Sequence, residues 1–267
     1  VLNADDEQCA DMAQYCREKI VYFSLRPSNP VIQAHLDNDH TAIVYDRGYI
    51  TIISGESTTP VARAVDMPIT LEGRALFNIQ NALAAAAVGH AMGMKTEEIR
   101  HGLISFFPSP SQTPGRTNFF SIKDFEVMLD YAHNPPAYKN IIDLVRRLGH
   151  KRRLFVFDVV GDRRNEDLRE MCQLIASGCQ HAIVYEDKQL RGRQPGELMN
   201  FVEKAFIDAG FEANAIEKIA DEADAIDRAL SMAQKDDLVC IMSGRDAQVI
   251  EHLEAFQEGE GATDQTG

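Results

Sequence analysis

Asp130 and His133 stand three residues apart directly after the apolar run Val127-Met128-Leu129, in the stretch Asp130-Tyr131-Ala132-His133-Asn134-Pro135-Pro136. Asn134 can cap a helix that begins at Pro135, which would aim free backbone N–H groups and the positive end of the helix dipole at whatever lies over the acid and the imidazole. That suits a phosphate or another anion, and simple closure of a turn is the plainer reading of the same residues. A second cluster, Gly161-Asp162-Arg163-Arg164-Asn165, follows Leu154-Phe155-Val156-Phe157. Adjacent guanidiniums supply planar forks for phosphate or carboxylate, with Asp162 placed to orient one of them, although a solvated surface pair has the same composition. In the third cluster Glu186-Asp187 precede Arg191-Gly192-Arg193 and Pro195-Gly196-Glu197. Acid and base this close could recognise the two charged groups of an amino acid, or could neutralise one another. Ser243-Gly244-Arg245-Asp246 is a weaker fourth, because Arg245 and Asp246 can pair locally.

Two further signals come earlier in the chain. Asn78 and Asn81 are one helical turn apart, so their amides share a face that could read a purine edge or tie the helix to a neighbouring loop. Gly115-Arg116 follows a stretch in which Pro108, Pro110 and Pro114 alternate with serines. A cation there could clamp a nucleotide phosphate or lie along the surface.

The elements that must carry these residues follow from periodicity. After the Pro-rich stretch, apolar strands ending at Asp130, Asp158, Tyr185, Ile219 and Met242 alternate with helices over 135–148, 166–177, 197–209, 222–233 and 247–256. This predicts an α/β, Rossmann-like, mostly parallel sheet with helices on both faces, whose strand ends would collect the four clusters on one edge. Before it, a helix is expected from Glu7 to Glu18, a strand from Ile20 to Leu25, and antiparallel strands over 31–68 with a hairpin at Asp46-Arg47-Gly48. An Ala-rich helix over 76–92 should stop at Gly93, and Thr96 should cap a second helix ending near Phe107. The expected organisation is a domain over 1–107, a linker over 108–115, a second domain over 116–257 and a disordered polar tail over 258–267.

Composition narrows the function classes. Lys and Arg total 27 against 41 Asp and Glu, a formal charge of −14, so nucleic acid is a poor partner for this surface. No apolar run is long enough to span a membrane, and the five cysteines form no Cys-x-x-Cys pair, which favours reduced thiols in the cytoplasm. No Gly-x-Gly-x-x-Gly follows the first strand of the second domain, which argues against a dinucleotide-dependent oxidoreductase. The chain begins at Val1, inside what reads as a buried strand, and a longer polypeptide is expected.

The order of the motifs resembles the Mur ligase family of ATP-dependent amide-bond ligases. The residues that carry the resemblance are Leu2-Asn3-Ala4-Asp5-Asp6, Phe77-Asn78-x-x-Asn81-x-Leu83-Ala84-Ala85, Gly115-Arg116, Asp130-Tyr131-Ala132-His133-Asn134-Pro135 and Gly161-Asp162-Arg163-Arg164. Glu186-Asp187-x-x-Leu190-Arg191-Gly192-Arg193-x-x-Gly196-Glu197 is most similar to the cyanophycin synthetase branch. The resemblance implies the back part of a Mur-type central ATPase domain followed by a complete terminal domain. It implies ATP and Mg²⁺ as cofactors, an amino acid and a peptide or polymer acceptor as partners, and leaves a homo-oligomer open. It places Asn78 and Asn81 near adenine, Arg116 and Asp130 near ribose and phosphates with His133 beside them, and Arg163 at the closing cleft, so that domain closure would bring the catalytic pair His133 and Arg163 onto the nucleotide. Glu186, Asp187, Arg191 and Arg193 are assigned to the incoming amino acid by charge complementarity.

No Gly-x-x-Gly-Lys-[Ser/Thr] loop is present, and the family's Mg²⁺-binding acid and histidine and its modified lysine would precede Val1, so this chain alone is expected not to turn over ATP. Val159-Val160 replaces the extra glycines of relatives and restricts close backbone approach there. A muropeptide amino-acid ligase of cell-wall synthesis and a non-catalytic nucleotide- or amino-acid-binding module are the alternatives.

Overall fold

The β-branched run over 41–53 folds back on itself where Arg47 (φ 48°) and Gly48 (φ 87°) both take left-handed backbone, the geometry of a two-residue hairpin turn. A computed structural model of the chain describes residues 1–186 and 188–263. It divides into two compact units, Val1–Pro108 and Ser109–Gly267.

The first unit contains, in order, β1 (Leu2–Asn3), α1 (Glu7–Asp11), β2 (Tyr22–Ser24), α2 (Pro30–Leu36), β3 (Thr41–Asp46), β4 (Tyr49–Ser54), β5 (Ser57–Arg63), α3 (Leu76–Ala91) and α4 (Thr96–Ser105). Its sheet runs β1-β2-β3-β4-β5, parallel through β3 and antiparallel thereafter. Ile79, Leu83, Ala86 and Ala87 of α3 pack on Phe23, Ile43 and Ile50, so small side chains bring this helix close to the sheet.

Three local expectations are corrected. The helix expected from Glu7 to Glu18 ends at Asp11 and passes into a 3-10 turn over Met12–Tyr15; neither buries a residue, so no apolar stripe holds a longer helix. Helix α2 stands where only strands were expected, started by Pro30 in its first turn and by the Asn29 side chain accepting the Val31 N–H at 2.9 Å. At α4 the cap position is Lys95, whose N–H is accepted by the Glu98 carboxylate at 2.7 Å, in place of a Thr96 cap.

The second unit contains β6 (Asn118–Ile122), β7 (Phe125–Asp130), α5 (Pro135–Val145), β8 (Arg152–Phe157), α6 (Asn165–Gly178), β9 (His181–Val184), α7 (Glu197–Asp208), β10 (Ile216–Lys218), α8 (Glu222–Met232), β11 (Asp237–Met242) and α9 (Asp246–Thr263). Strand order is β10-β9-β8-β11-β7-β6, parallel except for the edge strand β6. The last strand in sequence, β11, lies between β7 and β8 and sets Cys240 opposite both Met128 and Phe155.

Val127, Leu129, Val156, Ile183, Val239 and Ile241 cover one face against Ile226 and Leu230 of α8 and Val249 and Leu253 of α9. On the opposite face Phe157 stacks on Phe206 of α7, with ring centroids 5.8 Å apart. This is the α/β architecture expected from the alternation: a mostly parallel sheet covered on both sides. Helix α9 spans Asp246–Thr263 and so enters the polar tail expected over 258–267, of which residues 264–267 lie outside the described residues. Among the described residues no helix is long and apolar enough to cross a membrane.

Candidate functional site

Parallel pairing brings the carboxyl ends of β7, β8, β9, β10 and β11 to one edge, and a cleft of about 300 Å³ opens there. Each strand end contributes to it: Tyr131 and His133 after β7, Asp158 and Arg163 after β8, Tyr185, Gln189 and Arg191 after β9, Glu222 at the start of α8, and Ser243 and Arg245 after β11. Three guanidiniums and two carboxylates therefore line one concavity, which suits a ligand that carries both signs of charge.

Glu222 is bonded from several sides of the cleft wall. One carboxylate oxygen accepts from the Tyr185 hydroxyl at 2.9 Å and the Ser243 hydroxyl at 2.6 Å; the other lies 3.5 Å from Arg245 Nη1. Tyr185 is buried and its hydroxyl also lies 3.2 Å from the Met242 carbonyl oxygen. Burial, then the nearby Asp158 and Glu222 carboxylates, push its phenol far above the ordinary range, so it stays a donor at any physiological pH.

Next to this network Asp130 closes β7. Its Oδ2 accepts from the Thr117 backbone N–H at 2.9 Å and the Thr117 hydroxyl at 2.8 Å. Burial raises the Asp130 carboxyl, while those two donors, Arg116 and the Ala132 N–H pull it back down. The Arg116 guanidinium sits 5.1 Å over the Tyr131 ring, and the His133 ring lies 4.5 Å from the same ring. His133 Nδ1 is 2.8 Å from the Tyr131 carbonyl oxygen, which can only accept, so the neutral ring carries its proton there and presents Nε2 as an acceptor. Asn134 caps α5 as its sequence position predicts, accepting the Ala137 N–H at 2.9 Å.

Residues 115–245, most of this second unit, match the Mur ligase, glutamate ligase domain family. The second unit belongs to the Mur ligase family. Across both units the chain is 39% identical over 255 residues to cyanophycin synthetase of Synechocystis sp., covering 96% of this chain and 29% of that protein. It is 26% identical over 245 residues to the UDP-N-acetylmuramoyl-L-alanyl-D-glutamate–2,6-diaminopimelate ligase of Caldanaerobacter subterraneus, covering 92% of this chain and 46% of that one. The chain thus spans less than half the length of these relatives. Among solved structures, E. coli FolC in complex with ADP shares the fold, with a TM-score of 0.64 at 19% identity over 93% of this chain and 57% of that chain. So does the bifunctional folylpolyglutamate synthase/dihydrofolate synthase of Yersinia pestis complexed with AMPPNP and Mn ion, with a TM-score of 0.60 at 18% identity over 92% of this chain and 56% of that chain.

In this Mur ligase unit the cleft gathers His133, Arg163 and Arg191 from the residues singled out in the sequence, while Arg116 adjoins it over the Tyr131 ring and Asp130 adjoins it through its carbonyl oxygen, which accepts the Ser243 N–H at 3.1 Å. Glu186 and Arg193 stand in the loop after β9 but do not line the cleft. Both Glu186 carboxylate oxygens accept the Gly196 N–H, at 2.9 and 3.1 Å, and Arg193 bonds to neighbouring loop atoms. Asp187 lies outside the described residues. Asn78 and Asn81 belong to the first unit. Asn78 is buried and donates to the Ile69 carbonyl oxygen at 2.8 Å, the tie to a neighbouring turn that was its plainer reading. Asn81 donates to Asn78 at 3.1 Å and lines a cleft of about 400 Å³ whose other walls include Ala82, Ile99, Leu103 and Phe106. Asp158, Tyr185 and Glu222 were not singled out from the sequence; the acid closing the second apolar run was the available signal for Asp158.

Proposed function

We propose that this chain is part of an ATP-dependent ligase that joins an acceptor carboxylate, activated as an acyl phosphate, to the amine of an amino acid, in the manner of cyanophycin synthetase. The observation that carries the reading is the single cleft lined by Arg163, Arg191, Arg245, Asp158, Glu222 and His133. An amino acid presents a carboxylate and an amine, and a phosphorylated acceptor adds further negative charge; the cleft offers complementary groups for both signs. Arg163 neutralises charge that develops on the phosphoryl group, and His133, with Nε2 as acceptor, takes the proton that the attacking amine must lose. Arg191 binds the incoming amino acid; Glu186 and Arg193 shape its loop. Arg116 and Asp130 serve the ribose and phosphates, and Asn81, set in an apolar cleft, serves the adenine.

ATP, when bound, supplies the phosphoryl group that turns the acceptor carboxylate into a mixed anhydride. Among the described residues no group of three or more His, Cys, Asp or Glu side chains is arranged to hold a metal ion. We place the protein in the reducing cytoplasm on the strength of its buried thiols; burial pushes Cys172 and Cys179 up to about 12, which makes them inert.

The test is phosphate release from ATP by the polypeptide that contains this chain, given aspartate, arginine and a cyanophycin primer, or a muropeptide acceptor with its amino acid. Release that requires the primer supports the cyanophycin reading, and release that requires the muropeptide replaces it with a cell-wall ligase. Nucleotide or amino-acid binding without ligation makes the protein a binding module. The 267-residue chain alone should release none.

A further inference from the structure

Arg193, two residues beyond Arg191, has the charge of a ligand-binding group, yet its side chain is 22% exposed and its guanidinium reaches into the preceding loop. Nε donates to the Gly161 carbonyl oxygen at 3.1 Å. Nη2 donates to Asn165 Oδ1 at 2.7 Å and to the Arg163 carbonyl oxygen at 3.4 Å, and Nη1 to Glu197 Oε1 at 2.8 Å. Three of these four acceptors belong to the turn over 161–165 that carries Arg163. The two loops also touch directly: a Cβ on Gly161 would lie 2.3 Å from the Leu190 carbonyl oxygen, and Asp162 pairs with Arg191 at 2.8 Å. Arg163 is held by its main-chain oxygen, while its side chain lines the cleft.

We infer that Arg193 is a positioning residue that clamps the turn over 161–165 onto the loop after β9 and so sets where the Arg163 guanidinium stands. Its planar fork spans acceptors in different directions, which a lysine ammonium at the same position cannot do. The inference rests on the reading of Arg163 as an anion-binding group. It adds that Arg193 acts on the ligand only through Arg163.

The experiment is a titration of the full 267-residue chain with inorganic pyrophosphate, followed by the arginine side-chain N–H signals in NMR. Wild type is compared with R193K, R163A and the double variant. R193K should weaken binding about fivefold and displace the Arg163 signal, and the double variant should bind no more weakly than R163A alone. Asn165→Ala, which keeps both arginines and removes one acceptor, should give a smaller loss in the same direction and keeps the test open if R193K folds poorly.

Wild-type affinity in both R193K and Asn165→Ala overturns the inference. So does an R193K effect that persists in the R163A background, because Arg193 then touches the ligand or acts on stability alone. If R163A itself binds pyrophosphate as wild type does, the anion-binding reading of Arg163 fails, and the inference fails with it.

Discussion

Gly161→Ala tests how tightly the two loops of the cleft are pressed together. The added Cβ would stand 2.3 Å from the Leu190 carbonyl oxygen and 3.2 Å from Arg193 Cγ. Restoring an ordinary carbon–oxygen contact of about 3.3 Å requires the two backbones to part by about 1 Å. The Arg193 Nε bond to Gly161, already 3.1 Å, would stretch with them and Arg163 would move away from its place in the cleft. Gly161 is not among the left-handed glycines, so alanine is sterically admissible for the backbone itself and the close approach alone is probed. Overpacking of this kind costs about 2 kcal/mol. For a unit of this size that is a fall of about 5 °C in its melting temperature. Gly102→Ala is the control: in helix α4, with nothing within 4 Å of an added Cβ, it should stabilise the first unit by about 0.5 kcal/mol. Calorimetry reads both variants, and pyrophosphate titration reads the displacement of Arg163. A Gly161→Ala chain that melts and binds as wild type would show that the loops separate freely and that Arg193 does not clamp them.

Three further outcomes are expected. Asp237 has a side chain only 3% exposed and receives Arg152 Nη2 at 2.6 Å, so Arg152→Ala leaves a buried carboxylate without its cation and should remove about 4 kcal/mol of stability in urea denaturation. Tyr185→Phe deletes a buried donor to Glu222 and should lower the second unit's stability by about 1.5 kcal/mol; no loss in the same assay would mean that Glu222 does not depend on it. Arg228, and then His181, hold the Glu217 carboxyl below its usual range. A depressed folded-state value gives stability that is present above the unfolded carboxylate pKa of about 4.3 and lost as pH falls through the folded value. Glu217→Gln should therefore be less stable than wild type by about 1 kcal/mol at pH 7 and equal to it in strong acid, as denaturation at the two pH values will show.

The cleft was legible wherever an apolar run ended in charged residues, because a parallel sheet converts strand ends into neighbours. His133, Arg163 and Arg191 were found that way, and Asp130 beside them. Glu222 was not, because an acid in the first turn of a helix already has a local explanation in the dipole, and its partners Tyr185 and Ser243 lie 37 and 21 residues away. Arg193 illustrates the reverse: its charge suggested a ligand, but its acceptors at Gly161 and Asn165 lie 32 and 28 residues back, where no local pattern points. Asn78 shows how a shared helix face leaves two meanings open until burial and a bond to Ile69 separate it from Asn81. Helix α2 was hidden because its seven residues bury only Ile32, too little for an amphipathic period to be read.

The position of β11 has a consequence for how the second unit comes into being. As the chain leaves the ribosome, β7 and β8 emerge as two apolar strands that are not each other's neighbours, and both keep an unsatisfied edge until residues 237–242 arrive to fill the gap. Nascent chains stalled before that point hold two half-sheets with adhesive borders, a natural target for chaperones. Truncation that removes β11 would cut the sheet through its middle, whereas loss of the distal strand β10 would only trim its rim.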